Sequence, residues 1–151
     1  MTDLGKKDIR SWSRLLRVHA AVTGLIDDRL KAAGLPPAAW YAFLVELDKA
    51  GDDGLRPFEL EQVTHEAQYA VSRLLDRMIK ARAVRRAPCP DDRRGWRVAL
   101  TDEGRAIKAR MWDIYSTALA DRFVDRLSGK QVRLLDDILG DLLDRAVKKR
   151  G

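Results

Sequence analysis

The stretch Asp92-Arg-Arg-Gly-Trp-Arg-Val-Ala-Leu-Thr-Asp-Glu-Gly104 reads as the returning half of a hairpin that runs directly into a helix. In Trp96-Arg-Val-Ala-Leu100, Trp96, Val98 and Leu100 point to one face and Arg97 and Ala99 to the other, the two-residue period of a strand. Thr101 suits a helix N-cap, and Asp102 and Glu103 complement the dipole of a first turn. Upstream, Val84-Arg-Arg-Ala87 supplies the first strand, and Pro88-Cys-Pro-Asp-Asp-Arg-Arg-Gly95, rich in turn residues, supplies the tip. A tip with arginines and aspartates projects into solvent or toward something anionic.

Immediately before the hairpin, residues 67–82 have helical spacing, with Val71, Leu74, Leu75 and Met78 on the buried stripe. The opposite face carries Gln68, Tyr69, Ser72, Arg73, Asp76 and Lys80. A short helix over 57–64 and a turn at His65-Glu66 precede it, so the pair fits a helix-turn-helix. Another helix, over 37–50, turns Trp40, Phe43, Leu44 and Leu47 inward and ends in the turn Gly51-Asp-Asp-Gly54.

Long helices flank this centre. The first, over 7–33, has the stripe Trp12, Leu15, Leu16, His19, Val22, Ile26, Leu30 and Ala33. Such a stripe exceeds what one small core needs and predicts packing against another chain as well. After the hairpin, a helix to about Arg126 carries Ile107, Met111, Ile114, Tyr115, Leu119 and Phe123. Ser128 and Gln131 have capping-box spacing, and open a last helix, from about Gly129 to Lys149, with the apolar stripe Leu135, Ile138, Leu139, Leu142 and Ala146. The class expected is mainly α with one small β-hairpin.

Charge sharpens this. The chain carries +6 overall, and the excess lies between Arg73 and Arg97, where nine basic residues meet three acids; elsewhere the signs balance. A basic focus on a neutral background is the footprint of a polyanion-binding surface, although a charged solvated face gives the same pattern. The first turns of the outer helix would present Gln68, Tyr69, Ser72 and Arg73 to base edges: Gln pairs with adenine and Arg with guanine. Arg77 and Lys80 lie further along and reach phosphates at most. Arg93, Arg94 and Arg97 suit a narrow minor groove, and Asp92 suits a residue that pairs with an arginine and sets the loop geometry. The rival reading of Asp91 and Asp92 is a plain polar turn.

Other chemistry is thinly represented. There are two histidines, His19 and His65, and one cysteine, Cys89, with no metal-ligand spacing among them, so no enzyme and no cofactor or metal is expected. One cysteine and an N-terminus without an apolar run predict a cytoplasmic protein, and no apolar run is long enough for a membrane span. Neighbouring arginines would favour the Cys89 thiolate, against the simpler reading of a turn cysteine without a role.

With Asp92-Arg-Arg94, Leu100-Thr101 and Gly104 following a helix-turn-helix, the chain resembles the multiple-antibiotic-resistance regulator (MarR) family. Pro37-Ala-Ala-Trp40-Tyr41 and Cys89-Pro-Asp-Asp-Arg-Arg-Gly95 resemble one subgroup of it. The resemblance implies a single protomer over 1–151, a winged helix-turn-helix over 37–104 with its wing at about 84–101, and dimerisation helices over 7–34 and 105–150. It also implies a homodimer on a near-palindromic duplex DNA operator, and repression relieved by a small aromatic or anionic effector. By motif position, Asp92 and Arg94 carry the wing roles, and Thr101 belongs with the wing structure. Trp12, His19, Trp40, Phe43 and Tyr115 are the candidate effector-pocket residues, with core packing as the alternative for each. Two departures stand out: Arg82-Ala83-Val84 replaces the usual glycine where the reading helix ends, and His65-Glu66-Ala67 replaces the Gly- or Ser-containing turn before it. They motivate a second reading, a winged-helix protein-interaction module with weak or no DNA binding.

Overall fold

Glycine and proline divide the chain where the hydrophobic periodicity breaks. A computed structural model describes residues 4–148, with eight main elements. They are α1 (Lys6–Ala32), α2 (Ala39–Ala50), α3 (Pro57–Thr64), α4 (Gln68–Lys80), β1 (Val84–Cys89), β2 (Asp92–Leu100), α5 (Asp102–Arg122) and α6 (Gly129–Lys148). Short 3-10 turns at Gly51–Asp53 and Val124–Arg126 complete the order. Lys149, the expected end of the last helix, and residue 150, the expected end of the C-terminal segment, lie outside the described residues. The chain falls into two compact units: Thr23–Tyr115, and the residues up to Val22 together with those from Ser116 onward.

In the central unit the core is apolar. Ile26 and Leu30 of α1, Trp40, Phe43, Leu44 and Leu47 of α2, Leu60 of α3, and Val71, Leu75 and Met78 of α4 are buried together with Val84, Val98 and Leu100 of the hairpin. The stripes read from helical spacing in α2 and α4 therefore face inward, except that Leu74 is only half-buried; Ala33, expected on the first helix's stripe, lies beyond the end of α1 and is exposed, and Ile107, Ile114 and Tyr115 of α5 are half-buried. Helix α2 starts at Ala39, beyond the expected Pro37. Its entry is held by Asp27 of α1, whose carboxylate accepts the Ala38 N–H at 2.7 Å, a capping contact supplied from a different helix.

The hairpin differs from the expected one. Its strands extend to Cys89 and Asp92, leaving only Pro90 and Asp91 as the connecting turn. Regular antiparallel pairing holds from Val84↔Leu100 to Pro88↔Trp96, then shifts to Cys89↔Asp92. The shift leaves Arg93, Arg94 and Gly95 without partners on β1, so the irregularity lies within β2. Both Val98 and Ala99 are buried, so alternation does not divide β2 into a wet and a dry face at this end. Leu55 adds a bridge on the outer edge: its N–H donates to Val98 O at 2.9 Å and its carbonyl accepts from Val98 N–H at 2.8 Å. Gly54, at φ 66°, permits this approach, because a Cβ there would fall 2.1 Å from the Val98 carbonyl oxygen.

The junction between α4 and α5 is the tightest in the unit. Arg82 takes φ 58°, the left-handed conformation that the expected glycine adopts freely. The turn sends the next carbonyls toward Thr101. The Thr101 N–H donates to Ala83 O at 3.1 Å, and its hydroxyl lies 2.6 Å from Arg82 O and 3.0 Å from Ala83 O. The same hydroxyl oxygen accepts the Gly104 N–H at 2.9 Å, which makes Thr101 the N-cap of α5. Gly104 carries no Cβ because one would lie 2.0 Å from Ala83 O.

In the second unit, Trp12, Leu15 and Leu16 of α1 and Ile138, Leu139, Leu142 and Leu143 of α6 are exposed. Helix α5 stops at Arg122, and the expected continuation to Arg126 is a 3-10 turn instead. The capping box is present: Gln131 accepts from Ser128 N–H at 2.9 Å and its own N–H donates to the Ser128 hydroxyl at 3.3 Å.

Two stability changes follow from these contacts. Gly104→Ala pushes a methyl group into the Ala83 carbonyl and lowers unfolding free energy by about 2–3 kcal/mol in urea denaturation. Arg82→Gly relieves the left-handed strain and raises stability by about 0.5–1 kcal/mol in the same assay, part of the gain being offset by the entropy of the unfolded glycine.

Candidate nucleic-acid interface

The two departures from the usual turn pattern fall on the ends of the reading helix. His65, at φ 57°, is the left-handed C-cap of α3. Ala67 takes the N-cap position of α4 in extended conformation and makes no side-chain cap hydrogen bond. Helix α4 therefore begins without a side-chain cap, and Glu66 beside its first turn is exposed. From that end Gln68, Tyr69, Ser72 and Arg73 are all exposed, Tyr69 to 71%, while Val71, Leu75 and Met78 anchor the opposite face. Arg77 is also exposed, further along the helix. Tyr69, Arg73 and Arg77 border a shallow groove of about 260 Å³ with Phe43 and Leu74.

In the wing, Asp92 Oδ1 accepts the Arg94 N–H at 3.0 Å, an Asx turn that fixes the bulged segment. Arg93 and Arg94 are exposed. Asp92 thus holds Arg94 through its backbone. Arg97 is turned differently. It is half-buried and interacts with Cys89, and its Nε is shielded from solvent without a hydrogen-bond partner. Burial pushes the Cys89 thiol up, but hydrogen bonding from Arg97, from the Asp91 backbone and from Arg56, with the Arg56 charge, outweighs it and holds the thiol below its ordinary value. Arg86 stacks over the Trp96 ring at 4.4 Å, a cross-strand cation–π contact that stiffens the hairpin and that strand periodicity alone did not single out.

The candidate effector residues separate. Trp40 is buried in the core, and Phe43, equally buried in α2, lies under the groove beside α4. Tyr115 stacks with Tyr41 at 5.1 Å and with Trp112 at 6.4 Å, while Tyr41 and Trp112 lie 5.8 Å apart. Trp12 and His19 belong to the other unit, where both are exposed. Sequence reading missed Tyr41 and Trp112, although Tyr115 sits one helical turn from Trp112. An open cleft of about 460 Å³ runs past Tyr41, Trp112, Lys108, Arg105 and Asp48. The hydrogen-bonded Lys108 ammonium holds the Asp48 carboxyl below the usual range, with Lys108 and Arg105 charges acting in the same direction against burial. Burial pushes the Tyr41 hydroxyl up, partly offset by Lys108.

Among the described residues no helix is long and apolar enough to cross a membrane, and no group of His, Cys, Asp and Glu is arranged to hold a metal ion.

Comparison with known proteins places this arrangement. The MarR family model matches residues 33–95. The multiple antibiotic resistance protein MarR of Escherichia coli is 32% identical over 89 residues, which span 59% of this chain and 62% of that protein. The structure of AbsC, a MarR family transcriptional regulator from Streptomyces coelicolor, superposes with a TM-score of 0.83 at 25% identity, covering 97% of this chain and 98% of that one. A second MarR family regulator from the same organism, in complex with DNA, gives a TM-score of 0.87 at 26% identity, over 95% of this chain and 90% of that one. A mutant MarR from Escherichia coli complexed with operator DNA gives 0.81 at 27% identity, over 94% and 99%. With the family model on the helix-turn-helix and the first part of the wing, and the winged-helix fold matched over nearly the whole chain, this protein is similar to MarR family transcriptional regulators and shares their fold.

Proposed function

We propose that the protein is a sequence-specific DNA-binding transcription regulator that acts as a homodimeric repressor. One observation carries the reading: the exposed Gln68, Tyr69 and Ser72 of α4 lead directly into the one segment where the chain's positive charge is concentrated, which begins at the exposed Arg73 and includes the exposed Arg93 and Arg94 of the wing. Helix α4 supplies major-groove contacts, and the wing supplies the cations for an adjacent minor groove. Two of the superposed relatives were solved on DNA, one of them on operator DNA, which supports DNA as the partner. Arg77 adds a phosphate contact.

The exposed apolar residues of α1 and α6 support self-association. Trp12, at 61% exposure, and Leu142 and Leu143, at 55% and 56%, would each leave water on pairing with a second copy, a gain of roughly 1.5–3 kcal/mol for each large side chain fully covered. A small aromatic anion is the effector that the second cleft supports: stacked Tyr41 and Trp112 supply ring faces, and Lys108 and Arg105 supply the countercharge. Binding there would relieve repression by favouring a dimer geometry that no longer fits two half-sites.

Fluorescence anisotropy on a duplex of the protein's own upstream region tests the reading. Arg94→Ala weakens binding and lowers the slope of log affinity against log salt by about 0.9, the loss of one phosphate contact. Gln68→Ala keeps that slope and narrows the difference between this duplex and a scrambled one, by about 1–3 kcal/mol. Absence of salt-dependent binding by the unaltered protein at about 50 mM salt contradicts DNA recognition and favours the interaction-module reading. Separately, Leu142→Glu places a charge in the proposed pairing face and converts a dimer to a monomer in analytical ultracentrifugation; a monomeric parent protein contradicts the self-association.

A further inference from the structure

Arg56 precedes α3, and its backbone is held there by Glu59, whose carboxylate accepts the Arg56 N–H at 2.7 Å. Its side chain leaves the helix-turn-helix altogether. Nη2 reaches Cys89 Sγ at 2.8 Å, across 33 residues of sequence, at the point where β1 ends and the wing tip begins. Arg97 of β2 acts on the same sulfur from the other strand. Cys89 is only 6% exposed. Two guanidinium groups donate toward it, and a guanidinium has no acceptor to offer a thiol proton. The buried Nε of Arg97 has no hydrogen-bond partner, so this cation needs a nearby anion to offset its lost hydration. A sulfur that only accepts, between two cations, takes the Arg56 hydrogen bond and offsets both charges.

The geometry points to Arg56 and Arg97 as positioning residues of the wing, which clamp Cys89 as an anionic sulfur between the start of α3 and β2 and so hold Arg93 and Arg94 out for DNA. The clamp rests on the DNA-binding reading for its purpose, though not for its existence. Its position explains the choice: Cys89 pairs with Asp92 across the register shift, directly behind the unpaired Arg93-Arg94-Gly95 segment. Arg97 is thereby spent on the wing's own structure rather than on a phosphate. The charges around the sulfur are Arg56 and Glu59 at the start of α3, Arg97 of β2 and Asp91 of the turn; Asp52, Asp53 and Arg85 line the cleft next to Arg97. The thiol is held below its ordinary value by this set, so the clamp is intact above the ordinary thiol value and is lost as pH falls through the lower folded-state value.

The test has two arms. Because Cys89 is the only cysteine, thiolate ultraviolet absorbance titrated against pH, with Cys89→Ser as the blank, reports this sulfur alone. The thiolate signal persists to lower pH than for an ordinary cysteine; Arg56→Met and Arg97→Met shift its loss to higher pH, and Arg56→Lys restores part of the shift. In the second arm, anisotropy on the upstream duplex shows Arg56→Met, Arg97→Met and Cys89→Ser each losing between about 2-fold and 30-fold in affinity, the span for positional coupling. Their salt slopes stay at the parent value, unlike that of Arg94→Ala, and Cys89→Ser flattens the acid limb of the affinity profile. Should a methionine variant fail to fold, Cys89→Ser and Arg56→Lys carry both arms. An ordinary cysteine titration in the parent protein overturns the clamp, as does an Arg97→Met salt slope reduced like that of Arg94→Ala. If the parent binds no duplex but Cys89 titrates low and responds to Arg56, the clamp stands and the DNA-binding reading falls.

Discussion

The Ala83 carbonyl is the point on which the reading head depends. It receives the Thr101 N–H and lies within hydrogen-bonding distance of the Thr101 hydroxyl, and Gly104 packs against it with no side chain between. Reading helix, hairpin and α5 meet at this one peptide. The left-handed Arg82 turns the chain out of α4, and Thr101 brings the far end of the wing back to the same place. An angle between α4 and the wing is thereby set by short hydrogen bonds rather than by side-chain packing alone, which suits the proposed entry of the two elements into neighbouring grooves. The Leu-Thr-x-x-Gly pattern of residues 100–104 has a mechanical meaning here: a buried strand end, a cap shared by two elements, and a position where only hydrogen fits.

The central helices were legible because their apolar residues recur every three or four positions, and burial follows those positions in α2 and, but for the half-buried Leu74, in α4. The ends were less so. Asp27 caps the approach to α2 from another helix, and no local pattern announces a contact eleven residues away. The wing tip looked like a loop because Pro88, Pro90 and Gly95 punctuate it; in fact the strands run almost to its end and the irregularity sits on one side. Alternation placed Arg97 outward with Ala99, yet both faces of β2 are covered near its end, where Leu55 bridges Val98. Period-two reasoning holds only where one face is wet. Tyr41 and Trp112 were hidden for the same kind of reason: each lies off its helix's main stripe, and although Trp112 is one turn from Tyr115 on α5, only the approach of α2 brings Tyr41 onto both rings.

Charge and strain divide the labour of the site. The wing tip is locally self-sufficient, with Asp92 fixing the Arg94 backbone and Arg86 stacked on Trp96. Helix α4 is less well provided. Its N-cap is Ala67, its preceding turn needs a left-handed histidine, and its C-terminal turn needs a left-handed arginine. Each feature costs about 1 kcal/mol relative to a serine cap or a glycine turn. The tertiary contacts of Val71, Leu75 and Met78 and the Ala83 junction compensate, so the helix forms without favourable ends. Affinity on this account comes chiefly from the cationic wing and segment, and selectivity from the few side chains at the start of α4.

Hydroxyl-radical footprinting of the unaltered protein on its own upstream DNA tests the central claim most directly. A symmetric dimer that reads with α4 and the wing predicts two equivalent protected half-sites with centres one helical turn apart, ~10–10.5 bp, each flanked by minor-groove protection from Arg93 and Arg94. Uniform or absent protection at low salt contradicts it.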